Sequence, residues 1–468
     1  MSGLEELTRE ELIELVLKLH GTVKAQQAEI GELKATVQHQ AERIAELEEE
    51  IARLRGGKWS AGLCIKPGVA PKEKGPRKKR KDSFARGRVA ATRVIYHAVE
   101  RCPDCGRKLS GISEKWRHQV VELGPVRAEV TDHVFVERRC GVCGKRFTPD
   151  AREVLAEVAV GKKNIGIGVM SLIAHLKTVC RMPIGQIRKL LSTLFGVKIS
   201  AGEIAEILHD VARMGQREYD GLLDRIRGSP VLHGDETGWR EDGVNGYLWS
   251  FSTPQVRYYT YRRSRGSVVV KEVLGKEFAG TLVSDFYAAY NIYDGIKQRC
   301  WIHLLRDLKL LVEKNEDMPD VSAWVDSVVE LYERAKEAAK GEYKDYERSR
   351  LRLMFEEDLL MLCRPYVKVQ SAPERVLAER MVRFLGELFI FVQCPDVPSE
   401  NNPAERAIRP AVVARKISGG TRSPKGSKTS SVLRTLFETW TPRGCNALDT
   451  CRQMLIDYNN RPAQSAAA

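Results

Sequence analysis

Two equivalent Cys-x-x-Cys-Gly frames constrain this chain more than any other feature: Cys102-Pro-Asp-Cys105-Gly and Cys140-Gly-Val-Cys143-Gly, with 34 residues between them. Four thiolates in two such pairs suit a tetrahedral zinc ion. A closed zinc site supplies folding energy that a module confined to residues 96–150 cannot draw from a core of its own. Between the frames, Val120–Leu123 and Val126–Val136 alternate as two strands turned at Gly124-Pro125. Zinc fixes a fold and not a function, so a purely structural ribbon and one that touches nucleic acid both stay open.

The chain holds 11 cysteines in 468 residues and begins with an acidic stretch (MSGLEELTRE) instead of a basic-then-apolar leader. Such cysteines are expected to stay reduced or to bind metal. No run of 18 apolar residues occurs, so membrane insertion is not expected and a cytoplasmic, nucleoid-associated protein is. The length calls for two or more domains.

From Leu12 to Leu54 one heptad register holds. Val16, Val23, Ile30, Val37, Ile44 and Ile51 lie at a, with Leu at five of the seven d positions and Gln26 and Gln40 at the others. β-branched residues at a and leucine at d favour a parallel dimer, so residues 1–55 read as a coiled coil that makes the protein a homodimer or a higher oligomer. The net charge of +14 is unevenly spread. Residues 1–55 carry 7 Lys and Arg against 12 acids, while residues 56–101 carry 13 against 3. The Gly-, Pro- and Lys-rich stretch 56–95 reads as a flexible basic linker in which Arg77, Lys78, Lys79, Arg80 and Lys81 grip phosphates or merely solvate the tether.

Residues 151–225 are helical in pattern. Met170–Val179 and Ile184–Phe195 are two candidates, and a third begins after Ser200, whose side chain and Glu203 form a capping-box pair. The short turn between the last two suits a helix-turn-helix that binds DNA, and equally a plain bundle. From Ser229 the pattern changes to strands. Pro230-Val-Leu-His-Gly-Asp235 is a short apolar run ending in an acid, and Tyr247–Ser252 and Arg257–Tyr261 are aromatic-rich strands. After the helical stretch Val268–Leu274, Gly280-Thr-Leu-Val-Ser-Asp285 is a second apolar run ending in an acid. Three strands, a helix and a fourth strand, with carboxylates ending the first and fourth, is the order of an RNase H-like domain, where those two strands are neighbours. Two facing carboxylates repel, and divalent cations resolve the repulsion. Phosphodiester chemistry uses that arrangement, with two Mg²⁺ or Mn²⁺ ions roughly 4 Å apart. A third acid is available in Glu405, although Asn402, Pro403 and Glu405 also fit a helix cap.

Asp235-Glu236-Thr237, Asp285-Phe-Tyr-x-x-Tyr290, Cys300-Trp301-x-His303-x-x-Arg306 and Asn401-Asn402-x-x-Glu405-Arg406-x-x-Arg409-Pro410 ending in Arg415-Lys416 follow one another along the chain. Together with the coiled coil, basic linker and four-Cys module upstream, they resemble the insertion-sequence 66 family of bacterial DDE transposases over nearly the whole sequence. The resemblance implies that Asp235, Asp285 and Glu405 are catalytic and hold two Mg²⁺ or Mn²⁺ ions, with a structural Zn²⁺ on Cys102, Cys105, Cys140 and Cys143. It also implies double-stranded DNA partners, both element ends and target, and small accessory proteins of the same element. The sequence departs from many relatives at Phe286, where they carry Gly, and in the Lys/Arg run of the linker.

The expected architecture is a multidomain α/β protein. An RNase H-like catalytic domain occupies 226–303 and 396–445, split by a helical insertion over 304–395 and followed by a C-terminal helix and tail over 446–468. Within the insertion the expected helices are Val328–Lys340, Glu347–Leu362 and Glu374–Phe389. Cys300 and His303 have metal-like spacing but lack a second pair, which favours packing over zinc. Residues 406–428 hold Arg406, Arg409, Arg415, Lys416, Arg422, Lys425 and Lys428 without an acid. That track suits DNA, with Arg409, one turn from Glu405, foremost for the scissile phosphate. The expected activity is metal-dependent cleavage and strand transfer at terminal inverted repeats. A catalytically inactive zinc-containing DNA-binding regulator and an RNase H-like nuclease or resolvase are the alternatives.

Overall fold

The computed structural model describes residues 90–110, 117–119, 126–161 and 163–461. The heptads, the basic run Arg77–Lys81 and the turn at Gly124-Pro125 lie outside the described residues. The chain divides into two units, Met1–Val121 and Glu122–Ala468, each described here by itself. In the first, the backbone N–H of Cys102 donates to the carbonyl of Arg107 (2.9 Å), and the N–H of Gly106 donates back to that of Cys102 (2.9 Å). This tight turn requires the left-handed backbone of Gly106 (φ +73°), which explains the glycine after the second cysteine.

The second unit opens with the same device. β1 (Arg138–Arg139) and β2 (Arg146–Phe147) pair antiparallel around the Cys140 turn, closed by Cys140 N–H to Lys145 O (2.8 Å) and Gly144 N–H to Cys140 O (3.0 Å). Residues 126–136, expected as a strand, are extended and pair with no strand among the described residues, their expected partner Val120–Leu123 lying outside these. The Ala128 N–H donates instead to the Phe195 carbonyl (3.0 Å).

Four helices follow the short α1 (Ala151–Leu155): α2 (Ile167–Thr178), α3 (Ile184–Phe195), α4 (Ala201–Met214) and α5 (Gln216–Arg227). Ser200 accepts from the Glu203 N–H at 3.0 Å and Gly196 ends α3 in the left-handed conformation, so the expected boundaries follow from cap chemistry. Ile204, Ile207, Leu208 and Val211 bury the apolar face of α4 against α2 and the C-terminal helices.

The five-stranded sheet runs β5-β4-β3-β6-β7, formed by β3 (Val231–Glu241), β4 (Val244–Ser252), β5 (Arg257–Arg262), β6 (Thr281–Ser284) and β7 (Lys297–Arg299). β3–β4–β5 is an antiparallel meander, and β3, β6 and β7 are parallel, with α6 (Ser267–Leu274) in the β5-to-β6 crossover. Alternation assigns the faces: Trp249 and Phe251 join the core beneath the helical bundle, while Leu248, Tyr259 and Trp239 pack against a helix on the opposite face.

After β7 the chain leaves the sheet for α7 (Trp301–Lys314), α8 (Pro319–Ala339), α9 (Asp345–Cys363), α10 (Arg375–Arg383) and α11 (Ile390–Gln393). These bury a core of their own around Trp301, Tyr332, Phe355 and Phe389, as an insertion should. The expected helix Glu374–Phe389 is interrupted: α10 ends at Arg383 and a 3₁₀ turn follows at Leu385–Glu387. The chain then returns to the sheet as α12 (Asn402–Ser418), α13 (Pro424–Trp440) and α14 (Ala447–Asn459). α13 covers the outer edge of β5. The hydroxyls of Ser431, Thr435 and Thr439, one turn apart, accept the N–H groups of Tyr261, Tyr259 and Arg257 at 2.9–3.0 Å, so the edge is not left open.

Candidate active site

The parallel pairing of β3 with β6 aligns Leu232 with Leu282 and His233 with Val283. Two residues farther along each strand stand Asp235 and Asp285. Asp235 was expected at a strand end. It lies in the middle of β3, opposite Ser250 of β4, because the hairpin with β4 prolongs β3 well beyond the short β6. Asp285 does follow directly on the last residue of β6, and its carboxylate accepts the Tyr287 N–H (2.9 Å).

Glu405 arrives from far along the chain, and Asn401 brings it there. The Asn401 amide nitrogen donates to the Gly234 carbonyl (2.8 Å), its side-chain oxygen meets His233 Nδ1 (3.0 Å), and its backbone N–H donates to Cys300 Sγ (3.2 Å). The start of α12 is thereby fastened to β3 beside Asp235. This excludes the cap expected from local sequence. Asn401, not Asn402, occupies the N-cap position, its side chain makes no capping bond, and Glu405 is left facing His303 with 3.6 Å between Oε1 and Nε2.

The electrostatics report the convergence. Burial, chiefly, pushes the Asp235 carboxyl up to about 7, with the charges of Glu236, Asp285 and Glu405 acting in the same direction against the Glu236 N–H that it accepts. Among the described residues, no three His, Cys, Asp or Glu side chains close into a finished metal shell. Bare carboxylates repel, and each of the three is tethered separately. The donor set nevertheless fits a hard divalent cation: it consists of carboxylate oxygens whose mutual repulsion a cation would relieve.

Several residues that shape this geometry had no role assigned from sequence. The Glu236 side chain is buried and accepts from the Tyr290 hydroxyl (2.7 Å) and from Arg265 (Nη2, 2.7 Å). Burial raises its carboxyl despite these donors. Arg265 lies over the Tyr287 ring at 3.9 Å. Gly234 is required because a Cβ there would meet Tyr290 Cε1 at 2.8 Å. Arg299, fully buried, donates to the Asp285 carbonyl (2.7 Å), to Asn291 (2.5 Å) and to Glu387 of the insertion (2.5 Å). The motif pattern around Tyr290 hinted at its importance. Nothing local pointed to Arg265 or Arg299.

A cleft of about 600 Å³ opens from Asp285 toward the insertion, lined by Arg265, Phe286, His303, Arg380 and Arg383 among others. Arg380 pairs with Asp307 (2.5 Å) and lies over the Phe286 ring at 5.5 Å, whereas Arg383 is exposed. Of the expected basic track, Arg406, Arg409, Lys416, Arg422 and Lys428 are exposed. Arg415 is half-buried and donates through Nη1 to Thr237 Oγ1 (3.2 Å) and to the Gly238 carbonyl, tying α12 to β3. Lys425 pairs with Glu206 of α4 at 3.1 Å. Cys300 is buried and accepts a hydrogen bond, as packing requires. In each Cys-x-x-Cys turn, backbone N–H groups hold the first thiol, Cys102 or Cys140, below the usual thiol range, the electrostatics that thiolate ligation needs. Among the described residues no helix is long and apolar enough to cross a membrane.

Comparison with known proteins agrees with these features. Residues 162–429 match the family described as Transposase IS66 family, and residues 100–144 match the zinc-finger binding domain of transposase IS66. An uncharacterized protein, y4qI, of Sinorhizobium fredii (strain NBRC 101917 / NGR234) is 26% identical over 301 residues. The match covers 56% of this chain and 53% of that protein, so the chain spans about half the length of this relative.

Proposed function

Since the chain belongs to the IS66 transposase family, with its zinc-finger domain, we propose that it binds the terminal inverted repeats of its element as double-stranded DNA and cuts and rejoins strands at a site built from Asp235, Asp285 and Glu405. The observation that carries this reading is the β3–β6 register, which sets two acids side by side, together with the Asn401 clasp that delivers the third. The order β5-β4-β3-β6-β7, antiparallel then parallel, supports an RNase H-like assignment for this domain.

The three carboxylates would hold two Mg²⁺ or Mn²⁺ ions, which when bound supply the charge that activates the attacking oxygen and neutralises the leaving one. The protein's own part is positioning. Arg299 fixes the backbone of Asp285, Asn401 fixes α12, and the Glu236–Tyr290–Arg265 group gives β3 one conformation beside Asp235. The cleft toward the insertion receives the strand to be cut, with the exposed Arg383 facing its phosphates, and the exposed Arg406 and Arg409 of α12 offer further phosphate contacts. No side chain is required as a covalent nucleophile, because water and then the freed 3′-hydroxyl attack phosphorus. The exposed Arg188 and Lys189 of α3, not the buried face of α4, are the basic residues by which the helical segment would contact DNA. Zinc on the four cysteines is structural.

The test is Mg²⁺-dependent nicking of element-end DNA by Asp235→Asn, Asp285→Asn and Glu405→Gln. Each is expected to lower cleavage by at least about a thousandfold while leaving end binding intact. Retained cleavage in all three would sink the proposal. Binding without nicking by the unaltered chain would favour an inactive regulator, and nicking without strand transfer a nuclease.

A further inference from the structure

We propose that α9 is a dimerisation face on which a second copy of this chain docks through its own α9, antiparallel, about a twofold axis between Leu353 and Met354. One face of α9 packs into the insertion core through Phe355, Leu359 and Cys363. The opposite face is apolar and unpartnered among the described residues: Tyr346 is 66% exposed, Leu353 63% and Met361 60%, with Met354 and Leu360 also open. At 100° per residue, these five and Arg350 and Glu357 fall within about 120° of one another, so they form a stripe and not a scatter. Tyr346, Leu353 and Leu360 repeat at seven residues, as do Met354 and Met361, the spacing of a two-helix seam.

Charge pairing identifies the occupant. Arg348 is buried and bonds the carbonyls of Ala339, Gly341 and Val392. Arg352 pairs with Glu356 (2.7 Å), and Asp358 with Arg334 (3.7 Å). Between Arg348 and Asp358 only Arg350 and Glu357 lack an ion pair among the described residues, and both are exposed on the stripe. An antiparallel partner centred between Leu353 and Met354 sets residue i opposite 707 − i. Leu353 then meets Met354, Tyr346 meets Met361, and Arg350 meets Glu357 twice over by symmetry. The leftover charges complement each other in this register, with Leu353, Met354, Tyr346 and Met361 matched beside them. A parallel pair would set Arg350 against Arg350. The surface is therefore self-complementary in the isologous sense that a twofold dimer requires. A single helix pair is a small interface, so the contact works alongside other contacts between two chains and strengthens them.

The experiment uses the full chain at low salt, with association measured by sedimentation over a concentration series. Arg350→Glu and Glu357→Arg each place like charges opposite and are expected to weaken association by about tenfold or more. The double variant R350E/E357R restores it to within about threefold, as does mixing the two single variants, since each then meets its complement. Leu353→Glu weakens association without rescue. The proposal is overturned if neither single reversal changes association, or if mixing and the double variant both fail to restore it. It is also overturned if Leu353→Glu lowers the melting temperature with no change in mass, which would mean that the chain's own N-terminal segment covers the stripe. DNA cleavage is not the readout, and loss of the transposase reading would leave this result intact.

Discussion

Replacing Asn401 with alanine should separate the clasp that positions Glu405 from the general stability of the fold. Asn401 is 2% exposed, and its side chain joins α12 to a strand residue 167 positions away. Truncation removes the bond to the Gly234 carbonyl and the bond with His233 Nδ1, both buried. Each hydrogen bond contributes about 1 kcal/mol net, and a buried polar group left without a partner costs about 1–3 kcal/mol. Gly234 O retains a second lone pair while His233 Nδ1 loses its partner, so the expected loss is about 2–4 kcal/mol. Denaturant titration reads that figure. The functional part is read separately, by DNA cleavage under conditions in which the variant is fully folded. A shift of about 1 Å in the start of α12 displaces Glu405 from the other two acids, and misplacement on that scale costs about a hundredfold in rate. Tyr332→Phe is the control. It removes the bond to Ser399 Oγ (3.0 Å) just before α12 without touching the acids, and should cost about 1 kcal/mol with cleavage retained. If Asn401→Ala lost less than about 0.5 kcal/mol and cut DNA normally, the clasp would not be what places the third acid.

Gly234→Ala drives a methyl group to 2.8 Å from the Tyr290 ring, and overpacking of this kind should cost about 1–3 kcal/mol in a thermal melt. Tyr290→Phe with Gly234→Ala keeps the clash and loses the Glu236 bond, so it should melt lower still. Burial depresses the His175 pKa, so its neutral form is favoured in the fold. As pH falls below 6.5 the unfolded chain takes up that proton first, and the stability that His175 contributes at neutral pH is lost as acidification proceeds through its lowered folded value. His175→Phe should flatten that slope in denaturation curves at pH 7.5 and 5.5, and an unchanged slope would show that other groups control it. Zinc analysis of the purified chain should find metal that Cys140→Ser or a strong chelator removes.

Most helices were legible because their signals are local. Ser200 caps α4 and Gly196 stops α3, whereas α8 begins at Pro319, nine residues before the expected Val328. Asp285 was placed at its strand end by a short apolar run, but the same logic misplaced Asp235, since the length of β3 is set by a hairpin partner and not by its own composition. Glu405 looked like a cap until the strand that claims Asn401 was in place. The bonds of Arg415 to β3 could not be read from sequence, because its partners lie 178 and 177 residues away.

Arg299 limits how far this chain can be taken apart. The guanidinium that holds the Asp285 carbonyl is neutralised by Glu387, a residue of the inserted helical region. Removing Glu387, by excising or exchanging the insertion, would strand a positive charge in the protein interior directly behind Asp285, a defect worth about 3–5 kcal/mol. Engineers who wish to shorten the chain or graft another DNA-clamping segment cannot treat the insertion as a detachable accessory. They must supply a carboxylate at that point or replace Arg299 together with it.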